Sequence, residues 1–243
     1  MSILVSDYDG TFSTSEDDIK LNCKLLKEYI NNGNYFVLSS GRPLDSLKRQ
    51  VSQYDIPYTH LGTSDGNFLF DLNDNIIDSN LISHDIIDHL NPLKGLNIYE
   101  GIQYAYPYEN LNYYKDGELG SVAFVLRRDS ITDEFMILFD YLQENHKKYD
   151  YSIYGYDGID YYMIRPKGIS KSTPIDKLRK ILNIPKEEIY TIGDNDNDYE
   201  LVRDFNGFII GNNEKLKEVA LKKYNAVHEL VKDIQNKKVL KRW

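Results

Sequence analysis

The sequence predicts an α/β protein: a parallel sheet covered by helices, interrupted by an inserted α+β segment. Three observations predict it. Near the start of the chain, short apolar runs alternate with amphipathic helical stripes, and the same rhythm returns from about residue 166. Three of the apolar runs end abruptly in polar, glycine-bearing loops: "ILVSDYDGT", "FVLSSGR" and "IYTIGDNDND". Between 83 and 165 the rhythm changes to hairpin-like strands around one strong helix. The core is therefore read as 1–82 with 166–243, and the insertion as a separate domain over 83–165.

The first strand is the run Ile3-Leu4-Val5. Ile19, Cys23, Leu26 and Ile30 then recur at helical spacing, with Thr14 or Ser15 as N-cap and Gly33 as the stop. Tyr35 to Leu38 reads as a second strand, and Leu44, Leu47 and Val51 as the stripe of a second helix. "NFLFD", "LNDN" and "IIDSN" read as a hairpin. In the insertion, a helix over about 83–91 precedes strands at 96–100, 103–106 and 121–126. A helix over about 131–147 puts Ile131, Phe135, Leu138, Phe139 and Leu142 on one face, and strands at 149–155 and 159–164 follow. Thirteen of the 21 tyrosines lie between 99 and 162, where alternation suits packing on a sheet face more than ligand contact. Beyond 166, "KSTPIDKLRKIL" predicts a helix with Thr173 as N-cap and Pro174 at its first position. "EIYTIG" and "GFII" predict strands. Leu216, Val219 and Ala220, then Leu230, Val231 and Ile234, mark two last helical patterns.

The bulk properties narrow the function classes. With 243 residues, 41% hydrophobic and 28% charged, the chain can bury a substantial core. A net charge of −9 argues against a nucleic-acid partner, which calls for clustered Lys and Arg. It also means that an anionic substrate would need a local cation to offset repulsion. The single Cys23 excludes an internal disulfide, suits a reducing compartment and falls in a helical stripe, so it reads as core rather than nucleophile. The opening residues carry no basic n-region or cleavage site, and no apolar run approaches the ~20 residues that span a bilayer. A cytoplasmic protein with no membrane segment is expected. The five histidines, at 60, 84, 89, 146 and 228, are scattered and are assigned no ligand role.

The three loops carry the chemistry. In open α/β sheets, ligands sit at the carboxyl ends of the strands near a switch in strand order. Asp7 and Asp9, Ser40 and Gly41, and the 193–198 loop would therefore converge. Each loop taken alone is equally a solvated turn, since Asp, Asn, Ser and Gly are ordinary turn formers. Two adjacent carboxylates after a buried strand are otherwise explained by a cation and by chemical use of one of them. Lys171 at the start of a helix opposes the helix dipole, and a bound anion would supply its reason.

Together, "DYDGT", "FVLSSGR", Lys171 in "GISKSTPIDKL" and "GDNDND" occur in the order of the four motifs of the haloacid dehalogenase superfamily of phosphohydrolases, which the chain resembles over nearly its whole length. The insertion falls between the second and third motifs, which is similar to the Cof-type branch with its α+β cap (type IIB). The resemblance implies a Rossmann-like parallel sheet core with an inserted α+β cap domain. Two departures stand out. Asp65-Gly66 replaces the Asn-Gly usual after the third strand, and Gly211-Asn212-Asn213 replaces Gly-Asn-Ala.

What the resemblance implies is a Mg²⁺-dependent phosphatase of small phosphorylated metabolites, sugar phosphates foremost, working through an aspartyl phosphate. Asp7 would be the nucleophile and Asp9 the general acid and base. Ser40, Gly41, Lys171 and Asn197 would hold the phosphate. The metal set would be drawn from Asp7, the Tyr8 carbonyl, Asp9, Asp194 and Asp198. Arg42 would contact substrate or pair with a carboxylate, the structural role being favoured. Phe12 and Thr14 would face the cap, and Arg165 and Lys167 lie where a hinge is expected. A sugar phosphomutase on the same scaffold is the alternative enzyme. A phospho-receiver module is the alternative of another class, against which Asp9 and the large insertion count.

Overall fold

The computed structural model describes residues 1–94, 96, 99–107, 110–111, 118–127, 132–156 and 158–242. Two compact units are present, Met1–Ser79 with Ser170–Trp243, and Asn80–Ile169.

The first unit is built on an eight-stranded sheet in the spatial order Lys222–Lys223, Asn206–Ile209, Ile189–Gly193, Ile3–Asp7, Tyr35–Ser39, His60–Thr63, Phe68–Phe70 and Ile76–Ser79. The first six run parallel, and the last two extend the edge antiparallel. Ile3, Leu4 and Val5 are all fully buried, as a strand covered on both faces requires. Because successive side chains alternate faces, Leu4 joins the core made by Leu26, Leu47 and Leu230. Ile3 and Val5 join Ile175, Leu178 and Leu201 on the other face. The helices Glu16–Asn31, Leu44–Tyr54 and Val227–Gln235 therefore cover one side, and Ser172–Ile181 with Tyr199–Asp204 the other. The chain leaves the central strand Ile3–Asp7 toward Tyr35–Ser39 and later returns on its other side at Ile189–Gly193. That reversal is the switch point at which α/β sheets open a crevice.

The second unit is a five-stranded antiparallel sheet in the order Asn110–Leu111, Tyr99–Ala105, Ser121–Arg127, Ile159–Pro166 and Tyr149–Tyr156, with the helices Asp85–Leu90 and Asp133–Glu144. Its tyrosines pack as the alternation suggests: Tyr104 and Tyr149 are buried, and Tyr162 stacks on Phe124 at 4.8 Å. Phe135 meets the edge of Tyr162 from the longer helix. Asp85 ties the two helices to the edge strand by accepting from the hydroxyls of Tyr141 and Tyr149. No helix among the described residues is long and apolar enough to cross a membrane.

Several elements differ from the sequence reading. The segments 96–100 and 103–106 are not two strands. One strand, Tyr99–Ala105, carries a register shift between Tyr99 and Gly101, while 97 and 98 lie outside the described residues. Ile131 also lies outside them, and the helix begins after Thr132, whose hydroxyl accepts from the Phe135 N–H. Ser15, not Thr14, caps the first helix. Thr173 does not cap the helix Ser172–Ile181. Lys171 holds the cap position with no side-chain bond, and Thr173 accepts from the Ser170 N–H instead. The pattern at Leu216, Val219 and Ala220 yields only the short helix Glu214–Lys217.

Candidate active site

The site is assembled from the carboxyl ends of neighbouring strands and the loops that follow them. Asp7 ends the central strand, opposite Ser39 in register, and is buried. The chain then turns sharply through Gly10, whose φ of +81° is left-handed. A Cβ there would lie 2.5 Å from Asp194 Oδ2, so only glycine allows the two loops to meet. Thr11, fully buried, completes the junction by donating from Oγ1 to Asp194 Oδ1 at 2.5 Å.

The loop after Ile189–Gly193 is folded around Asp198. Its Oδ2 accepts from the N–H groups of Asp194 and Asn195, at 3.1 and 3.2 Å. Its Oδ1 accepts from Lys171 Nζ at 2.7 Å, and the same Nζ donates to Asp7 Oδ1 at 2.6 Å. Lys171 is only 1% exposed. A buried ammonium of this kind is tolerated only with paired charge around it. Burial works against its charge, but Asp198, Asp7 and Asp65 hold its pKa well above the usual lysine range. Lys171 is itself brought into place by the loop 64–66. A Cβ on Gly66, at φ +95°, would lie 2.0 Å from the Ser170 carbonyl oxygen.

Burial pushes the Asp7 carboxyl up to about 8, with Lys171 opposing and Asp198 and Asp194 adding to the rise. Asp194 is raised too, by burial first and by Asp198, against its bond from Thr11. Asp7, Asp194 and Asp198 each offer an oxygen within 4.8 Å of the others. Three converging carboxylates that disfavour one another's charge are a donor set fitted to a hard divalent cation, which takes oxygen ligands.

A model of the haloacid dehalogenase-like hydrolases matches residues 4–117 and 101–230. The chain belongs to this family. A curated relative from Buchnera aphidicola, named "Putative phosphatase", is 32% identical over 89 residues, a match that spans 36% of this chain and 33% of that protein. The fold is similar to a haloacid dehalogenase-like hydrolase from B. subtilis, at TM-score 0.74 and 17% identity, over 96% of this chain and 99% of that one. It is also similar to a "putative HAD/COF-like hydrolase" from Plasmodium vivax, at TM-score 0.73 and 17% identity over 98% of this chain and 96% of that one.

Of the residues singled out in the sequence of this hydrolase, the structure brings Asp7, Lys171, Asp194 and Asp198 into direct or shared contact. Asn197 joins them through Asp65, to whose Oδ1 its Nδ2 donates at 2.9 Å. Ser40 is buried beside this group: its carbonyl accepts from the Asp65 N–H and its Oγ from the Arg42 N–H. Asp9 is not drawn into the carboxylate cluster. Both its oxygens are held by Arg42, from Nε and Nη2, each at 2.7 Å. The Tyr8 carbonyl is committed within its own turn, accepting from the Phe12 and Ser13 N–H groups and from Ser13 Oγ. Thr11 and Asp65 were given no role from sequence. Thr11 is the last residue of "DYDGT" and offers only a small hydroxyl, whereas Asp65 is visible in the sequence as a departure from the family pattern.

Proposed function

We propose that this hydrolase is a phosphatase of small phosphorylated metabolites, sugar phosphates among them, and that it works through an aspartyl phosphate on Asp7 with Mg²⁺ as cofactor. The observation that carries the reading is the buried pair of Asp7 and Lys171 at the end of the central strand, flanked by Asp194 and Asp198. The name of the Buchnera relative agrees with it. Asp7, Asp194 and Asp198 are the residues that would hold the cation. Bound there, it supplies positive charge that lets an anionic nucleophile approach an anionic phosphate.

In the first step, an Asp7 carboxylate oxygen attacks phosphorus, the ester P–O bond breaks, and Asp9 gives its proton to the leaving oxygen. In the second, water attacks the same phosphorus, Asp9 takes the proton back, and the bond to Asp7 breaks to release phosphate. Lys171, the Gly41 N–H, Ser40 and Asn197 hold the phosphate oxygens, and such fixed donors are often the largest catalytic contribution. Since Arg42 occupies both Asp9 oxygens, one of these two bonds gives way when Asp9 meets the ester oxygen. The inserted unit supplies discrimination between alcohols, a role drawn from the resemblance to Cof-type proteins. The test is a panel of phosphorylated metabolites with Mg²⁺, scored by phosphate release. Asp7→Asn should abolish turnover of every member, because an amide cannot form the acyl phosphate. Turnover by pure Asp7→Asn above about 1% of wild type, well short of the 10⁶-fold and larger accelerations enzymes provide, would remove Asp7 from the nucleophile's role.

A further inference from the structure

Asp65 is a fourth carboxylate at this site, buried like Asp7 and Asp198, and the reaction just described gives it nothing to do. It is 4% exposed. It sits in a turn whose three residues, Ser64, Asp65 and Gly66, all have left-handed φ values, of +50°, +53° and +95°. Two consecutive non-glycine residues in that region are costly. They persist only where surrounding structure insists on them, which is commonly at functional sites. The turn is laced to the proposed phosphate loop on both sides: Ser64 N–H donates to the Arg42 carbonyl, and Asp65 N–H to that of Ser40.

The side chain reaches three of the four residues that the proposed function assigns to the phosphate: Asn197, Lys171 and Gly41. Asp65 Oδ1 accepts from Asn197 Nδ2 at 2.9 Å and lies 3.9 Å from Lys171 Nζ. Both its oxygens face Gly41, where a Cβ would be 3.2 Å from each. We propose that Asp65 is the positioning residue of the phosphate cradle, a carboxylate that fixes the Asn197 amide and the Lys171 ammonium relative to Gly41 before substrate arrives. The inference rests on the phosphatase reading and deepens it. The chemistry explains why a carboxylate serves here. A carboxylate only accepts, so Asn197 is compelled to present its NH₂ group to Asp65, with its second N–H left for a phosphate oxygen. An asparagine at 65 could exchange donor for acceptor and leave that orientation free. The left-handed turn is then the cost of aiming the carboxylate inward at three elements from three different loops.

The test compares Asp65→Gly, Asp65→Asn, Asn197→Ala and the double variant Asp65→Gly/Asn197→Ala with wild type. Each is read by orthophosphate binding calorimetry in excess Mg²⁺, by kcat and KM on an aryl phosphate, and by thermal unfolding. Glycine relieves the left-handed backbone while deleting the carboxylate, so position and stability should move in opposite senses. Asp65→Gly should weaken orthophosphate binding and raise KM by about tenfold or more, the range for losing a hydrogen bond to a charged group. kcat should change less than KM, and the unfolding midpoint should hold or rise. Asn197→Ala should lose a similar or smaller factor, and the double variant clearly less than the product of the two losses, because the two residues share one contact. Asp65→Asn should recover only part of the loss, because an amide at 65 leaves the Asn197 orientation free. Unchanged phosphate affinity in Asp65→Gly, losses that multiply in the double variant, or affinity and midpoint falling together would each overturn the proposal. If wild type binds orthophosphate but hydrolyses no ester, the phosphatase reading fails and the binding arm still decides the role of Asp65. If wild type binds no orthophosphate, both fall.

Discussion

Replacing Lys171 with Met keeps the length and apolar stem of the side chain but deletes the charge at its tip. The structure sets the size of the effect. Nζ is buried, 2.6 Å from Asp7 Oδ1 and 2.7 Å from Asp198 Oδ1, and Asp65 Oδ1 lies at 3.9 Å. Removing one partner of a buried ion pair leaves the other uncompensated and costs about 3–5 kcal/mol. For a chain of this length about 1 kcal/mol moves the unfolding midpoint by roughly 2–4 °C, so Lys171→Met should melt about 10 °C below wild type in EDTA. Mg²⁺ can take over the neutralisation of Asp7 and Asp198, and binding at 100 times its dissociation constant contributes about 2.7 kcal/mol. The gain in midpoint on adding Mg²⁺ should therefore be larger in the variant than in wild type, while phosphate release stays about 10²–10³-fold down for want of a phosphate donor. Thermal unfolding with EDTA and with Mg²⁺, paired with a phosphate-release assay, reads all three quantities. A midpoint in EDTA within about 2 °C of wild type, less than the shift from 1 kcal/mol, would show that the carboxylates do not depend on Lys171. An equal Mg²⁺ gain in both proteins would sever the proposed link between the lysine and the cation.

Three further outcomes are expected. Gly66→Ala should cost about 3 kcal/mol or more, since its Cβ would lie 2.0 Å from the Ser170 oxygen at a φ of +95°; a denaturant titration with a midpoint close to wild type would contradict the packing described. Thr11→Val removes the bond to Asp194 Oδ1 and should raise the Mg²⁺ activation constant about tenfold, checked by titrating phosphate release with Mg²⁺. Burial opposes the charge of Asp85, but hydrogen bonds from Ser83, Tyr149, Tyr141 and Lys148 hold its carboxyl below the usual range. A lowered folded-state pKa contributes stability above the unfolded value of roughly 4 that is lost as pH falls below it. Asp85→Asn should thus melt below wild type at pH 7, and the difference should shrink once the pH drops below about 4.

The core of the fold was legible because its strands are fully buried. A run such as Ile3-Leu4-Val5, with no polar alternation and two carboxylates after it, has few other interpretations. Elements without a period long enough to read were not found. Tyr199–Asp204 is six residues long and Lys222–Lys223 two, too short for a helical or strand pattern to declare itself. Gly101 broke one strand into two on paper, because a bulge looks like a gap when only alternation is counted. At the site, residue types were visible and their pairings were not. Lys171 stood out as a cation misplaced at a helix start, and two buried carboxylates take its ammonium even without an anion. Asp9 and Arg42 are 33 residues apart, and only the adjacency of the strands Ile3–Asp7 and Tyr35–Ser39 lets them meet.

Each of these pairings is complete before any substrate enters. Thr11 fixes Asp194, Asp198 fixes its own loop and Lys171, Arg42 fixes Asp9, and Asp65 fixes Asn197. In the proposed reaction the orientation of these groups is therefore established at folding, and little reorganisation is left for the chemical step. The same arrangement limits what these loops recognise. In that reaction every group assigned above would serve phosphorus, its oxygens, the breaking bond or the cation, and none is assigned to the rest of the alcohol. Substitutions within the loops should then scale kcat/KM for every ester by a similar factor, and the ranking of esters should survive them. Discrimination between alcohols has to be carried by residues outside this constellation, so a loop variant that reordered the substrate panel would mean that one of these groups also touches the alcohol.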